Sequence, residues 1–250
     1  MFPRRLLPCL LALALCPAMA VASAAADASP KAGPAAPTVA LTDATGALSL
    51  DLTPKKRSLF FEGDGWIPFA IGAGLLLATD RKSQPFLTDA LANPTTLRAS
   101  RAVGVLGTPR VYLGTPLLLY ALGGKREKQT ATRLVNALVT SGLITETTKV
   151  LVGRRRPDES GGVGDVKGPS LVYESFPSGH TSAAFAMATV LATQYPRYRV
   201  PLYALAAAVA ASRVLQSRHI PSDVFVGAGI GIAAGQQAAH GGSNLLGFKF

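Results

Sequence analysis

The chain has 250 residues, enough for one well-packed domain, and its formal net charge is +11. Aromatic residues make up only 7% of it, and no motif of a nucleic-acid-binding fold is present, so a nucleic-acid partner is not indicated. An anionic membrane surface or a phosphate-bearing substrate accounts better for the basic charge.

The first 24 residues have the pattern of a secretory signal peptide. Two arginines precede an apolar run over residues 6–21, and small residues suited to cleavage follow within 18–24. We therefore predict a cleaved signal over 1–24, with retention as a membrane anchor as the alternative. Both cysteines of the chain lie inside this segment, so a mature chain would have no disulfide, no cysteine metal site and no cysteine nucleophile.

Three further regions follow the signal. Residues 25–57 are rich in Ala, Pro, Ser and Thr, which is typical of a flexible leader. The predicted domain occupies 58–240, and 241–250 form a short tail. Six apolar segments of the domain lack the strict alternation of strands, and several are dominated by Ala and Leu, so an all-α bundle is predicted. The segments are Trp66–Ala78, Ala102–Leu122, Thr132–Val150, Thr181–Tyr195, Val200–Ala211 and Val224–Ala239.

We favour a membrane-embedded bundle, with a soluble bundle as the alternative. Only Ala102–Leu122 reaches the ~20 apolar residues of a membrane span, and Arg110 lies in its middle. The glycines and alanines of Val224–Ala239 permit the close helix approach that is common between membrane helices. They would also suit a tightly packed soluble bundle.

The first chemically informative stretch contains Lys149 and Arg156. These cations are seven residues apart, close to two helical turns, so one face of a helix could present both, and Pro157 is predicted to end that helix. The neighbouring Arg154 and Arg155 are predicted to face outward or to contact lipid headgroups. Alone, this stretch indicates no more than a charged helix end.

The second stretch is Pro177-Ser178-Gly179-His180, directly before a predicted helix. A Ser-Gly pair at a helix N-terminus leaves unpaired N–H groups that can bind an anion. The alternative is an ordinary turn in which Ser178 caps the helix. His180 favours a functional site, because an imidazole is a costly choice for a turn.

The third stretch contains Arg213, His219 and Asp223. His219 and Asp223 stand four residues apart, with Pro221 at a predicted helix start. A carboxylate that accepts the imidazole N–H would fix the tautomer and make the other nitrogen more nucleophilic. Arg213 could fork onto phosphate oxygens. The alternative is a surface histidine beside an N-capping aspartate. Together the three stretches contain the groups needed to hold a tetrahedral oxyanion and cleave it through a histidine.

These stretches resemble the three-part signature of the type 2 phosphatidic acid phosphatase (PAP2) superfamily, which also contains bacterial class A acid phosphatases and vanadium haloperoxidases. The match is complete at every signature position between Lys149 and Asp223. The resemblance implies a six-segment all-α bundle of that type and a phosphoric monoester hydrolase. It also implies that His219 is the nucleophile, that Asp223 orients it, and that His180 protonates the leaving oxygen and then activates water. The implied oxyanion cradle consists of Lys149, Arg156, Ser178, Gly179 and Arg213.

The resemblance implies no cofactor, and no carboxylates with metal-ligand spacing accompany the motifs. The expected substrate is a lipid phosphate or pyrophosphate at the bacterial inner membrane, with the loop 158–176 expected to set substrate choice. Lysines and arginines in the opposite loops predict that the site faces the periplasm. Five spans, with Trp66–Ala78 not crossing, reconcile this orientation with a cleaved signal. The alternatives are a soluble periplasmic acid phosphatase of broad specificity, a vanadate-dependent haloperoxidase and a non-catalytic phosphate-binding protein.

Overall fold

The computed structural model describes residues 66–91, 93–159 and 164–241. The predicted signal, the predicted leader and residues 58–65 of the predicted domain lie outside the described residues, as does the tail beyond residue 241. Seven helices and no strand occur in the described ranges, so the predicted all-α class is confirmed. The helices are α1 (Trp66–Leu91), α2 (Pro94–Gly104), α3 (Pro109–Leu122), α4 (Lys125–Val152), α5 (Gly179–Gln194), α6 (Arg199–Leu215) and α7 (Pro221–Ala239).

Two of the predicted segments differ most from the observed helices. Helix α1 continues past Ala78 to Leu91, because Asp80 and Gln84 are buried against the bundle and do not end the helix. The predicted segment Ala102–Leu122 is broken by a 3-10 turn at Val105–Gly107. Proline at the start of α3 pushes the residue before it out of the helical region, and Thr108 is accordingly extended, with ψ 158°. The six predicted segments therefore become seven helices.

Helix α5 lies at the centre of the bundle and packs against α4, α6 and α7. Glycines of α7 form the contact with α5. A Cβ on Gly231 would lie 2.3 Å from the carbonyl oxygen of Ser182, and one on Gly235 would lie 2.6 Å from Cβ of Thr189. The glycines have no side chain, and the backbones of α5 and α7 can therefore approach closely. This approach places the first turns of the two helices, and the histidines beside them, at the same end of the bundle.

Much of the outer surface of the bundle is apolar. Helix α3 exposes Leu113, Leu117, Leu118 and Leu122, each by 60% or more. Judged by length and composition, no single helix within the described ranges would cross a membrane. One pair of helices passes the same test together: Pro94–Gly107 and Pro109–Leu122, which meet at a bend of 45°.

Candidate active site

His219 lies in the turn between α6 and α7 and is only 3% exposed. Its Nδ1 atom is 2.8 Å from the backbone carbonyl oxygen of Ser175 and 3.4 Å from Oδ2 of Asp223. Because a carbonyl oxygen can only accept a hydrogen bond, Nδ1 carries the proton of the neutral ring. Nε2 then keeps its lone pair and is the nitrogen available to attack a substrate.

Asp223 is completely buried in the first turn of α7. Its Oδ2 atom accepts hydrogen bonds from the hydroxyl of Ser175 at 2.6 Å and from the backbone N–H of Ile220 at 3.1 Å. Its Oδ1 atom accepts one from Nη1 of Arg154 at 2.8 Å. The carboxylate is thus held on both oxygens beside His219, as the predicted orienting role requires.

The contact with Asp223 corrects the outward orientation predicted for Arg154, which is 6% exposed. Helix α4 ends at Val152, and Gly153 follows in the left-handed conformation with φ 55°, a conformation that glycine adopts at no steric cost. The chain therefore turns inward directly before Arg154. Arg155 is partly exposed, and its guanidinium stacks on the ring of Tyr173 at 4.9 Å and donates to the Tyr173 hydroxyl.

The predicted placement of Lys149 and Arg156 on one helix face is wrong, because Gly153 ends α4 before Arg156 and Pro157 plays no part in ending it. Lys149 lies in the last turn of α4 and Arg156 lies in the following loop. The structure still brings both cations to His180, whose pKa responds to their charges. The turn at Gly153, and not a continuous helix, therefore brings Lys149 and Arg156 to the same site.

His180, in the first turn of α5, is the second imidazole of the site. Burial is the main cause that lowers its pKa to about 4, followed by the positive charges of Arg213, His219, Lys149 and Arg156. Burial also lowers the pKa of His219, although the Asp223 carboxylate opposes this shift. Both imidazoles are therefore neutral at neutral pH before an anion binds.

Ser178 and Gly179 differ in what they offer to an anion. The Ser178 amide donates to the carbonyl oxygen of Asp223 at 3.0 Å, and the Ser178 hydroxyl accepts from Thr181 at 3.0 Å. Ser178 occupies the N-cap position of α5 without making a side-chain capping bond. The Gly179 and His180 amides precede the first hydrogen bond of α5, from Ser182 N–H to Ser178 at 2.9 Å. These two amides, and not that of Ser178, are placed to bind an oxyanion.

Arg213 lies in the last turn of α6, and its positive charge acts on both His180 and His219. Its Nη1 atom donates to Gln216 at 3.4 Å, whereas its buried Nε atom has no hydrogen-bond partner among the described residues. The carbonyl oxygen of Arg213 accepts the backbone N–H groups of Arg218 at 3.0 Å and His219 at 3.3 Å. Arg213 therefore fixes the turn that holds His219 and still has a donor for a ligand.

Carboxylates accompany two of the three predicted cradle cations. Nζ of Lys149 lies 2.7 Å from Oε1 of Glu146, and Nη2 of Arg156 lies 3.7 Å from Oε2 of Glu174. Both glutamates are largely exposed, at 64% and 49%. A phosphate that enters the site would compete with these carboxylates for the cations. No group of three His, Cys, Asp or Glu side chains suited to a metal ion occurs in the ranges 66–91, 93–159 and 164–241.

An apolar groove begins beside His180. A Cβ on Gly107 would lie 3.2 Å from Cδ2 of His180 and 2.8 Å from Cγ1 of Val209, so the 3-10 turn packs directly on the imidazole. Val209 also lines the groove, which has a cavity volume of about 90 Å³ between α3, α5 and α6. Leu106, Val111, Met187, Leu202 and Leu205 are among its other lining residues.

Four residues of the site escaped the sequence analysis: Ser175, Arg154, Ser222 and Asp80. Ser175 contacts His219 through its backbone carbonyl oxygen. Every residue type has this atom, so the sequence does not indicate the contact. Asp80 reaches Ser222 across 142 positions of the chain, and no spacing rule connects them. Only the charge of Arg154, within a run of three arginines, could have marked it.

Comparison with known proteins agrees with the resemblance. The sequence model of the PAP2 superfamily matches residues 130–243, which include every predicted site residue. The lipid A 1-phosphatase of Rhizobium etli is 36% identical over 102 residues, which cover 39% of this chain and 44% of that protein. The lipid A 1-phosphatase of Porphyromonas gingivalis is 38% identical over 92 residues, which cover 35% of this chain and 18% of that protein. The chain thus spans less than half the length of the curated relatives it matches.

Two solved structures share the fold. The crystal structure of LpxE from Aquifex aeolicus gives a TM-score of 0.54 at 25% identity, covering 64% of this chain and 93% of that chain. The transmembrane PAP2-type phosphatidylglycerolphosphate phosphatase of Bacillus subtilis gives a TM-score of 0.51 at 17% identity. The match covers 70% of this chain and 94% of that chain. The predicted bundle type is confirmed by these matches.

Proposed function

We propose, from the match of residues 130–243 to the sequence model of the PAP2 superfamily, that this chain is a phosphoric monoester hydrolase that removes phosphate from a lipid. The observation that carries the proposal is the position of His219. An acceptor-only carbonyl holds its Nδ1–H, so Nε2 is left as a lone-pair nitrogen. Positive charges of Arg213 and Arg156 act on the same ring. A neutral imidazole beside fixed cations suits attack on a phosphate dianion.

The proposed reaction has two steps. Nε2 of His219 forms a bond to phosphorus while the bond from phosphorus to the leaving oxygen breaks, and a proton from His180 goes to that oxygen. The neutral His180 then takes a proton from water, the water oxygen bonds to phosphorus, and the P–N bond to His219 breaks. Asp223 stabilises the positive charge on His219 in the intermediate. The products are the dephosphorylated lipid and inorganic phosphate.

His180 must carry a proton in the first step although its pKa is low in the free site. Fixed cations are a cause of that low pKa, after burial. A bound phosphate dianion offsets those cations and raises the pKa of His180, so substrate binding favours the protonated form that acts as the acid. We place the phosphate oxygens on Lys149, Arg156, Arg213 and the amides of Gly179 and His180. Since these groups supply the positive charge, the proposed reaction needs no metal ion.

The apolar groove beside His180 supports a lipid substrate. His180 protonates the leaving oxygen, so the leaving group must lie on its side of the phosphate, where Gly107 packs between His180 and Val209, a residue of the groove lining. Apolar lining suits an acyl or prenyl chain and offers nothing to a polar alcohol. The curated relatives are lipid A 1-phosphatases. We therefore propose a phosphorylated membrane lipid, with lipid A as one candidate, and a membrane location with the site facing the periplasm.

The test is release of inorganic phosphate by purified protein with EDTA present throughout. Lipid A, phosphatidate and undecaprenyl pyrophosphate are offered in mixed micelles, and an aryl phosphate is offered in buffer. We expect turnover of a lipid, loss of turnover in His219→Ala, and a higher KM for the lipid alone in Leu205→Gln, which alters an exposed groove residue. Leu113→Gln, on the exposed face of α3, is the matched control.

Other outcomes of this panel would contradict the proposal. Turnover of the aryl phosphate with every lipid untouched would identify a soluble acid phosphatase. Bromination of a dye with vanadate and peroxide, without phosphate release, would identify a haloperoxidase. Activity that EDTA abolishes and Mg²⁺ restores would contradict the metal-free cradle.

A further inference from the structure

Helix α1 contributes a buried carboxylate to the neighbourhood of His219. Asp80 is 2% exposed, and its Oδ1 atom accepts the backbone N–H of Ser222 at 3.1 Å. Its Oδ2 atom accepts the Ser222 hydroxyl and lies 3.8 Å from Nη1 of Arg154. Asp80 lies outside the residues matched by the superfamily model, 130–243, so nothing in that comparison assigns it a role.

Arg154 connects Asp80 to the predicted catalytic residues. Its Nη1 atom donates to the Ser222 hydroxyl at 2.8 Å and to Oδ1 of Asp223 at 2.8 Å. Asp223 in turn lies beside Nδ1 of His219. The guanidinium of Arg154 also stacks on the ring of Phe176 at 4.6 Å, which leaves it little freedom to move. A continuous series of buried contacts therefore runs from α1 to the nucleophile.

The charges in this series explain why a second carboxylate is useful. If Arg154 paired with Asp223 alone, the two would cancel, and His219 would lose support for the positive charge it acquires during the reaction. Asp80 shares the charge of Arg154, so the buried group of Asp80, Arg154 and Asp223 keeps a net charge of about −1. Burial raises the pKa of Asp80, and the bonds from Ser222 and the charge of Arg154 oppose that rise.

We propose that Asp80 is a positioning residue for the proposed phosphatase reaction: it holds Ser222 and Arg154 so that Asp223 stays oriented and negatively charged beside His219. This inference rests on the proposed function. Asp80 does not touch the phosphate, because Asp223 and Arg154 lie between it and His219. It acts on the chemical step and not on substrate binding.

The test compares Asp80→Asn with wild type and with Asp89→Asn, which removes an exposed carboxylate of the same helix. The asparagine carbonyl can still accept the Ser222 N–H, so the variant loses the charge and keeps that contact. We expect kcat for an aryl phosphate to fall about tenfold, the size of effect typical of lost outer partners, while KM changes by less than about twofold. The acid limb of kcat/KM should move to lower pH.

The direction of that pH shift follows from the charges around His219. The Asp223 carboxylate raises the pKa of His219, whereas the positive charges of Arg213 and Arg156 lower it, and His180 also interacts with His219. Removing one negative charge leaves the positive ones less opposed, so the imidazolium becomes less stable. A purely structural Asp80 would change the free energy of unfolding and leave the pH profile unchanged.

Two further variants keep the test decisive if Asp80→Asn fails to fold. Ser222→Ala removes the hydroxyl between Asp80 and Arg154 but keeps the backbone N–H of α7, and it should lower kcat in the same way. Asp80→Glu keeps the charge and should retain more activity than Asp80→Asn. Wild-type kcat and an unshifted pH profile in Asp80→Asn, or in Ser222→Ala, would overturn the inference.

A readout that needs no turnover separates this inference from the proposed function. The pKa of His219 can be followed by NMR of labelled histidine, with His219→Ala to assign the signal. We expect a lower pKa in Asp80→Asn than in wild type, whether or not the protein hydrolyses a lipid. An inactive wild type with this shift would contradict the proposed function alone, and an active wild type without it would contradict the role of Asp80 alone.

Discussion

The backbone carbonyl oxygen of Ser175 lies 2.8 Å from Nδ1 of His219, and this contact decides which ring nitrogen faces the predicted cradle. The Asp223 carboxylate is farther from Nδ1, at 3.4 Å, so its main contribution is negative charge. Tautomer and charge are thus controlled by two different groups. The tautomer of His219 can be disturbed only by moving the loop before α5. The negative charge beside His219 can be changed by substituting Asp223 or its partners.

We expect His219→Ala and His180→Ala to differ in their residual turnover of an aryl phosphate. His219→Ala should abolish turnover of every substrate, because no bond to phosphorus can form. His180→Ala should keep weak activity on an aryl phosphate with a good leaving group, which needs little protonation, and should lose activity on a lipid phosphate. Steady-state assays on both substrates measure this. Equal and complete loss for both variants on the aryl phosphate would contradict the division of roles.

Binding of an oxyanion should be coupled to proton uptake. The pKa of His180 in the free site is about 4, lowered by burial and then by nearby positive charges. A bound dianion offsets those charges and raises this pKa, so protons enter the site as the anion binds at pH 5 to 6. Sulfate does not titrate there, and calorimetry in buffers of different ionisation enthalpy counts the protons. Uptake in wild type that persists in His180→Ala would argue against His180 as the acid.

Much of the bundle was predictable from its apolar segments, because the last three of the six coincide closely with α5, α6 and α7. The break at Thr108 was not predicted, although Pro109 is its cause and stands in the sequence. Arg154 was misplaced because three consecutive arginines look alike, and only the left-handed turn at Gly153 decides which one enters the core. The contact of Ser175 with His219 is made by the backbone and leaves no trace in residue type.

Removing the carboxylate beside Lys149 should strengthen substrate binding. Glu146 lies 2.7 Å from Lys149 and is mostly exposed, so the pair contributes little to stability, but it competes with an incoming phosphate. We expect Glu146→Gln to lower KM for an aryl phosphate by up to about fivefold with kcat nearly unchanged. Asp89→Asn controls for the change in net charge. A raised KM in Glu146→Gln would mean that Glu146 helps to position Lys149.

The contact between α5 and α7 can be tested with two glycines. A Cβ on Gly231 would lie 2.3 Å from the Ser182 carbonyl oxygen, so Gly231→Ala must separate the helices and should lower the free energy of unfolding by about 1–3 kcal/mol. Gly142 of α4 has no atom within 4 Å of an added Cβ, so Gly142→Ala should raise it by about 0.5–1 kcal/mol. Denaturant unfolding measures both. A tolerated Gly231→Ala would contradict the close packing.

The central claim, that His219 takes up the phosphoryl group, is tested most directly by trapping the intermediate. His180→Ala is mixed with a ³²P-labelled aryl phosphate, since loss of water activation should let the intermediate accumulate, and the reaction is quenched within milliseconds. The account predicts an acid-labile, alkali-stable label on His219, located by mass spectrometry and absent from the double variant His180→Ala/His219→Ala. Label on any other residue, or label that persists in the double variant, would contradict it.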